Sequence, residues 1–277
     1  MIKKLLLLCV TLNLFATNPC YAKNRPLKVG VPTFSPPFVV QTTDNQFYGF
    51  DIAMIEYVCK ALERKCEYYP TREDSLVDKV TNQSVDIAVG GIVLTLKRAK
   101  NMRFSIPYLA SSAQFIALDN RKFPENFTLR DLNGLKVGIL VGSALERKIR
   151  YLDMNPKAEI IEFDKTSQII RALNKKTIDI ALLSEPQVHY WRSNSSDIFQ
   201  PVGDEFPIGY GFAIAVNTSS NHGLISEINS VLFKYQKSQE FKQNFYVYFH
   251  DHIKKMPQPM EPLQSGEQSS SKDASAL

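Results

Sequence analysis

One phrase occurs twice in this chain, and the repetition constrains its fold more than any other feature. Ser75–Val89 reads SLVDKVTNQSVDIAV, and Gln168–Leu182 reads QIIRALNKKTIDIAL. Each is an amphipathic helix, a polar turn and an apolar strand of the form x-Asp-Ile-Ala-x. A shorter phrase, LKVG, also occurs twice, at Leu27–Gly30 and Leu135–Gly138, each time opening an apolar strand. Chance produces either repeat alone. Both together, in the same order, predict two α/β lobes of related topology. Strands alternating with helices predict βαβ units and a mostly parallel sheet in each lobe. Ligands of such sheets bind beyond the carboxyl ends of the strands. Aligning Val85-Asp86-Ile87-Ala88 with Ile178-Asp179-Ile180-Ala181 places Gly91 and Ser184 at strand ends, with Glu185 immediately after.

The segment that follows the first copy, VDIAVGGIVLTLKRAKNMRFSIPY (Val85–Tyr108), reads as strand, Gly-Gly step, short loop and helix. Thr95 is a candidate N-cap. Arg98 then falls near the third helical position, where the helix dipole is already positive. A cation is comfortable there if an anion sits between it and the exposed amides. Gly90 and Gly91 have no Cβ and let a ligand approach the backbone. The segment therefore reads as half of a carboxylate site; the plainer reading is a surface arginine after an ordinary turn. In the second lobe, Lys136–Val141 reads as a strand and Ala144–Tyr151 as a helix, with Ser143 as its candidate N-cap. That helix N-terminus can face the same cleft. Phe34 and Phe38 flank Ser35-Pro36-Pro37 after the first strand. Phe34 is the candidate binding wall, and Phe38 reads as core.

The ends of the chain read differently from its middle. Met-Ile-Lys-Lys, a short apolar run and small residues near Ala22 make residues 1–22 a secretory signal peptide. No later segment is apolar enough for a membrane helix. Removing the leader leaves Cys59 and Cys66, candidates for one disulfide in an exported protein. Asp51–Lys65 reads as an amphipathic helix with Ile52, Ile55, Val58, Cys59 and Leu62 on one side, and Glu67–Tyr69 as the next strand. A bridge between them would stabilise by roughly 2–3 kcal/mol in the chain-entropy model. Residues 253–277, rich in Pro, Ser and Gln, read as a disordered tail. His250 and His252 read as an exposed helix end rather than a metal site. The net charge of +5 is mild and the basic residues are scattered, so no nucleic-acid-binding stripe is present. The middle, about 230 residues, suits two lobes.

With these residues in place, the chain resembles the bacterial periplasmic solute-binding proteins of family 3, the polar amino-acid class, from about Leu27 to Phe249. The matching stretches are LKVGVPTFSPPF, GFDIAMIEYVCKAL, VDIAVGGIVLTLKRAKNMRFSIPY, DLNGLKVGILVGSA and IDIALLSEP. The Cys59–Cys66 spacing is similar to the disulfide of the lysine/arginine/ornithine and histidine binders. The resemblance implies an α/β, two-lobed type II periplasmic binding protein fold with a hinge of two crossover strands near Ala110–Ala117 and Glu205–Phe212. It makes residues 23–112 and 209–252 one discontinuous lobe and residues 113–208 the other. It implies capture of an amino acid, polar or cationic, and delivery to an ABC transporter permease in the inner membrane by a periplasmic monomer without cofactor or metal.

By the same resemblance, Arg98 takes the ligand's α-carboxylate, the backbone at Gly91 and Val93 lines the first lobe's side, and Ser143 with the Ala144 amide completes the grip. The chain departs from the family pattern at several positions. Ser184 stands where an Asp usually holds the α-ammonium, so that role passes to Glu185, to Glu73, or to neither. Glu73 stands where an aromatic is common, Val93 replaces a Ser or Thr, Pro32 replaces an Asp, and Ser35 stands where an aromatic often stacks. An alternative function on the same scaffold is a cyclohexadienyl dehydratase-like lyase, with Glu185 or Glu73 as a general acid.

Overall fold

The computed structural model describes residues 25–151, 158–196, 198–218 and 222–249. The expected leader, the expected tail, His250 and His252 lie outside them. β1 (Leu27–Pro32) leads into a small antiparallel sheet of β2 (Phe34–Ser35), β3 (Val39–Gln41) and β4 (Phe47–Tyr48). Then come α1 (Phe50–Ala61), β5 (Cys66–Thr71), a 3-10 turn at Glu73–Ser75, α2 (Leu76–Thr81), β6 (Ile87–Ala88), α3 (Leu96–Ala99) and β7 (Arg103–Phe104). The chain crosses over into β8 (Ser112–Leu118), β9 (Lys136–Leu140), α4 (Ala144–Tyr151), β10 (Glu159–Phe163), α5 (Thr166–Asn174), β11 (Ile180–Ser184), α6 (Glu185–Ser193) and β12 (Phe199–Pro207). It returns to β13 (Ala215–Val216), α7 (His222–Gln236) and α8 (Gln239–Phe249).

Two five-stranded sheets result, ordered β5-β1-β6-β13-β7 and β10-β9-β11-β8-β12. In each, the three strands opening the order are parallel, and an antiparallel strand joins them. This is the two-lobed α/β fold. The repeated phrases are the same pair of neighbouring strands in both lobes: Gly30 registers with Ala88, and Gly138 with Ala181. The repeated Asp has one task in both. Asp86 Oδ2 accepts from the Lys28 amide at 2.9 Å, and Asp179 Oδ2 accepts from the Lys136 amide at 2.7 Å. Each carboxylate also pairs with an arginine, Arg25 or Arg121. An Asp at the start of the strand thus satisfies an amide of the neighbouring strand that the ladder leaves over.

α1 forms on the expected apolar stripe, with Ile52, Ile55, Val58, Cys59 and Leu62 all buried. It ends at Ala61 rather than Lys65, because Glu63 takes a left-handed φ of 55° and the chain turns into β5. A Cys59–Cys66 disulfide closes that turn. The aromatic core lies under the first sheet, where Phe38 packs on Phe212 and Phe50 on Phe249, each pair 4.9 Å between ring centres. The two connections between the sheets run side by side. Ile208 N donates to Ser111 O at 3.0 Å, and Tyr108 N to Phe212 O at 2.8 Å. No described helix is long and apolar enough to cross a membrane.

Candidate functional site

The first lobe's wall is built on Asp51. It sits in the first turn of α1, fully buried, and one oxygen, Oδ2, accepts from Gly90 N at 2.7 Å, Gly91 N at 2.8 Å and the Tyr108 hydroxyl at 2.8 Å. Burial pushes its carboxyl up to about 6, against the pull of those three donors. The held turn must be Gly-Gly. Gly90 has φ +135° and Gly91 φ +68°, and a Cβ on Gly91 would lie 2.7 Å from the Phe38 ring. Beyond the turn, the Thr95 side chain accepts from Arg98 N at 3.3 Å and caps α3 as expected. The Arg98 guanidinium donates to Val93 O at 2.8 Å and, across the cleft, to Gly142 O at 2.9 Å.

The second lobe's wall is a set of strand-to-helix turns. Ser143 Oγ accepts from Glu146 N at 3.1 Å, the expected cap of α4, and Glu146 reaches back to Gly142 N at 2.7 Å. Ser184 donates to Gln187 Oε1 at 2.9 Å, and Gln187 Nε2 donates to Ser35 Oγ of the first lobe at 3.3 Å. Glu73, from the first lobe, accepts from Thr166 N at 2.8 Å and Thr166 Oγ1 at 3.0 Å at the start of α5. Burial raises the Glu73 carboxyl above its ordinary value, partly offset by the bonds from Thr166 and Ser35.

These walls enclose a cavity of about 80 Å³. Arg98, Val93, Ser35, Glu73, Ser143, Ala144 and Ser184 all line it. Three expected residues do not. Gly91 is turned onto Phe38 and Asp51, and Gly90 lines the cavity instead. Phe34 packs on Trp191 with ring centres 6.1 Å apart and lines an outer groove with Arg72 and Lys165. Glu185 is buried 3.5 Å from His189 and faces a separate groove of about 380 Å³ beside the crossover segments. Glu185 is the first residue of α6, with Ser184 as the N-cap and Pro186 next, and it lies beside His189 one turn on rather than with Ser184 and Gln187. Sequence reasoning missed Asp51, Gln187 and Thr166. Asp51 alone left a trace: an acidic residue between Phe50 and Ile52, at the start of an apolar helix face.

A family model, the bacterial extracellular solute-binding proteins, family 3, matches residues 27–251. The chain belongs to that family. It is 26% identical over 209 residues to ABC transporter arginine-binding protein 1 of Escherichia coli K12, covering 74% of this chain and 83% of the relative. It is 22% identical over 254 residues to the L-arginine-binding protein of Pseudomonas aeruginosa, covering 89% of this chain and 96% of that one. Among solved structures, the periplasmic binding protein of an arginine third transport system from Legionella pneumophila superposes with a TM-score of 0.74 at 26% identity, covering 82% of this chain and all of that one. As a family 3 solute-binding protein, the chain has its cavity between the two sheets, beside the carboxyl ends of β6, β9 and β11. The cavity is well below the roughly 300 Å³ at which small-molecule pockets begin.

Proposed function

We propose that this protein captures a cationic amino acid, arginine foremost, between its lobes in the periplasm and hands it to the permease of an ABC importer in the inner membrane, acting as a monomer. One observation carries the reading: a guanidinium, Arg98, and a carboxylate, Glu73, line the same cavity from the first lobe. Arg98 takes the ligand's α-carboxylate as a charge-assisted pair. Ser143 and the Ala144 amide add the N-terminus of α4, which favours the same anion. Glu73 takes the ligand's positive group, since Ser184 is neutral and Glu185 faces the other groove. The arginine-binding relatives support a cationic ligand. Residues 23–112 with 209–252 form one moving body and residues 113–208 the other, hinged where the two connections run side by side. A leader of residues 1–22, removed on export, delivers the chain to the periplasm.

The reading is non-catalytic. Glu73 accepts through both oxygens from Thr166, which suits a carboxylate holding charge rather than an acid giving a proton away. Incubation with prephenate or arogenate is expected to yield no product. The main test is calorimetry against the standard amino acids. L-arginine is expected to bind, and Arg98→Ala to weaken it at least about tenfold, the loss that follows from removing a charge-assisted hydrogen bond. If no amino acid binds the wild type, or Arg98→Ala binds L-arginine as tightly, the proposal falls.

A further inference from the structure

Among the described residues, polar side-chain contacts cross from one lobe to the other at four places around the cavity. Arg72 lies 3.5 Å from Asp164, with both side chains more than half exposed, and such a pair contributes little. Gln187 to Ser35 is a neutral bond at 3.3 Å. Arg98 reaches a backbone carbonyl, Gly142 O, at 2.9 Å. Glu73 differs from these three. Both of its oxygens are used, one by the amide and one by the hydroxyl of Thr166, which is 1% exposed. Thr166 is the first residue of α5, whose N-cap residue, Lys165, makes no side-chain cap bond. The first lobe thus supplies, from 93 residues away, the cap that a helix of the second lobe lacks. A carboxylate bonded to the first amide of a nine-residue helix has both charge assistance and the helix dipole in its favour.

We infer that Glu73 is the interlobe latch of this protein, a positioning residue that caps α5 from across the cleft and so sets the fraction of molecules in the closed arrangement. The inference rests on the proposed reading only in taking the lobes to move. Ligand affinity then depends on Glu73 twice: through the ligand's positive group, and through the closed fraction, which multiplies the intrinsic affinity. The two roles are compatible, because the two carboxylate oxygens offer about four acceptor sites, of which Thr166 and Ser35 take three.

The test measures lobe separation without ligand, so that it does not depend on which solute binds. Spin labels on Lys79→Cys and Lys175→Cys, both exposed and on opposite lobes, report the distance distribution by double electron–electron resonance. Glu73→Ala is expected to move the closed-to-open ratio about tenfold toward open, the equivalent of one charged hydrogen bond. Thr166→Pro removes the amide and hydroxyl donors together at a first helical position, where proline is well tolerated. Lys165 is already extended (φ −144°, ψ 139°), as a residue before proline requires. It should open the lobes as far as Glu73→Ala does, and the double variant no further. Thr166→Pro thus keeps the test decisive should Glu73→Ala fold poorly. An unchanged distribution in the variants, or a double variant opening by the sum of the two, overturns the latch. L-arginine at saturation, added afterwards to the wild type, tests the ligand reading separately: failure to close the lobes would count against arginine and leave the ligand-free result standing.

Discussion

Asp51 spends one oxygen on three donors, and its other oxygen, Oδ1, has no hydrogen-bond partner. The carboxyl is pushed up to about 6 because nothing compensates the charge fully in so buried a place. Tyr108 and Tyr235 face it with hydroxyls that are themselves pushed above their ordinary range, so neither titrates near neutrality. A carboxyl whose folded value lies above its unfolded one binds its proton more tightly in the native state. Its contribution therefore favours folding in acid and fades as pH rises from about 4 through about 6. Across that window the loss reaches about 3 kcal/mol, two units at 1.36 kcal/mol each. Asp51→Asn keeps an acceptor for Gly90, Gly91 and Tyr108 and removes the titration. Urea denaturation at pH 4.5 and pH 7 should show wild type losing stability relative to Asp51→Asn at the higher pH. A difference between the two proteins that stays constant with pH would contradict the assignment. The identity of Asp51 was in plain view in the sequence, but its partners lie 39 to 57 residues away, and no local pattern announces such a contact.

At the scale of elements the sequence was a good guide, for a physical reason. Strand pairs and helix caps are fixed by neighbours, so the doubled x-Asp-Ile-Ala and LKVG phrases, Thr95 and Ser143 all occupy the structural places their spacing implies. What spacing could not supply is the direction of a side chain at a junction. Glu73, Ser184 and Glu185 were equally plausible as cleft residues; the turn into α6 separates Ser184 from Glu185, and Glu73 meets Thr166 only because two lobes fold against each other. The repeated Asp itself makes a prediction. Asp86→Ala and Asp179→Ala each leave a strand amide and an arginine without their carboxylate, in different lobes. Each is expected to cost about 1–3 kcal/mol, and the double variant to cost about the sum, as independent sites do. Guanidinium denaturation of the two single variants and the double one measures this. A large saving in the double variant would mean that the lobes share the defect.

The whole molecule raises the question of whether two lobes behave as two proteins. Lobes joined by a hinge often unfold separately, and binding clefts sit where contacts are few. Here the hinge is packed. One apolar core runs from Phe38 and Phe50 in the first lobe, through Tyr108, Leu109 and Phe212 at the crossing, to Phe115, Val137 and Ile180 in the second. Ser111 in the crossing segment bonds the opposite segment at Ile208 O and Gly211 N. Opening of the cleft, as proposed, would break the polar contacts around the cavity and leave this apolar column in place, so motion and unfolding would be governed by different sets of bonds. The single tryptophan, Trp191, lies in α6 of the second lobe and packs on Phe34 of the first, so it reports the second lobe and that contact, while far-UV circular dichroism reports both lobes throughout. Thermal melts followed by the two signals are expected to coincide. Glu73→Ala should leave them coincident, since the latch acts on the cleft and not on the shared core. A tryptophan transition displaced by several degrees from the dichroism would show that the column through the hinge does not couple the lobes.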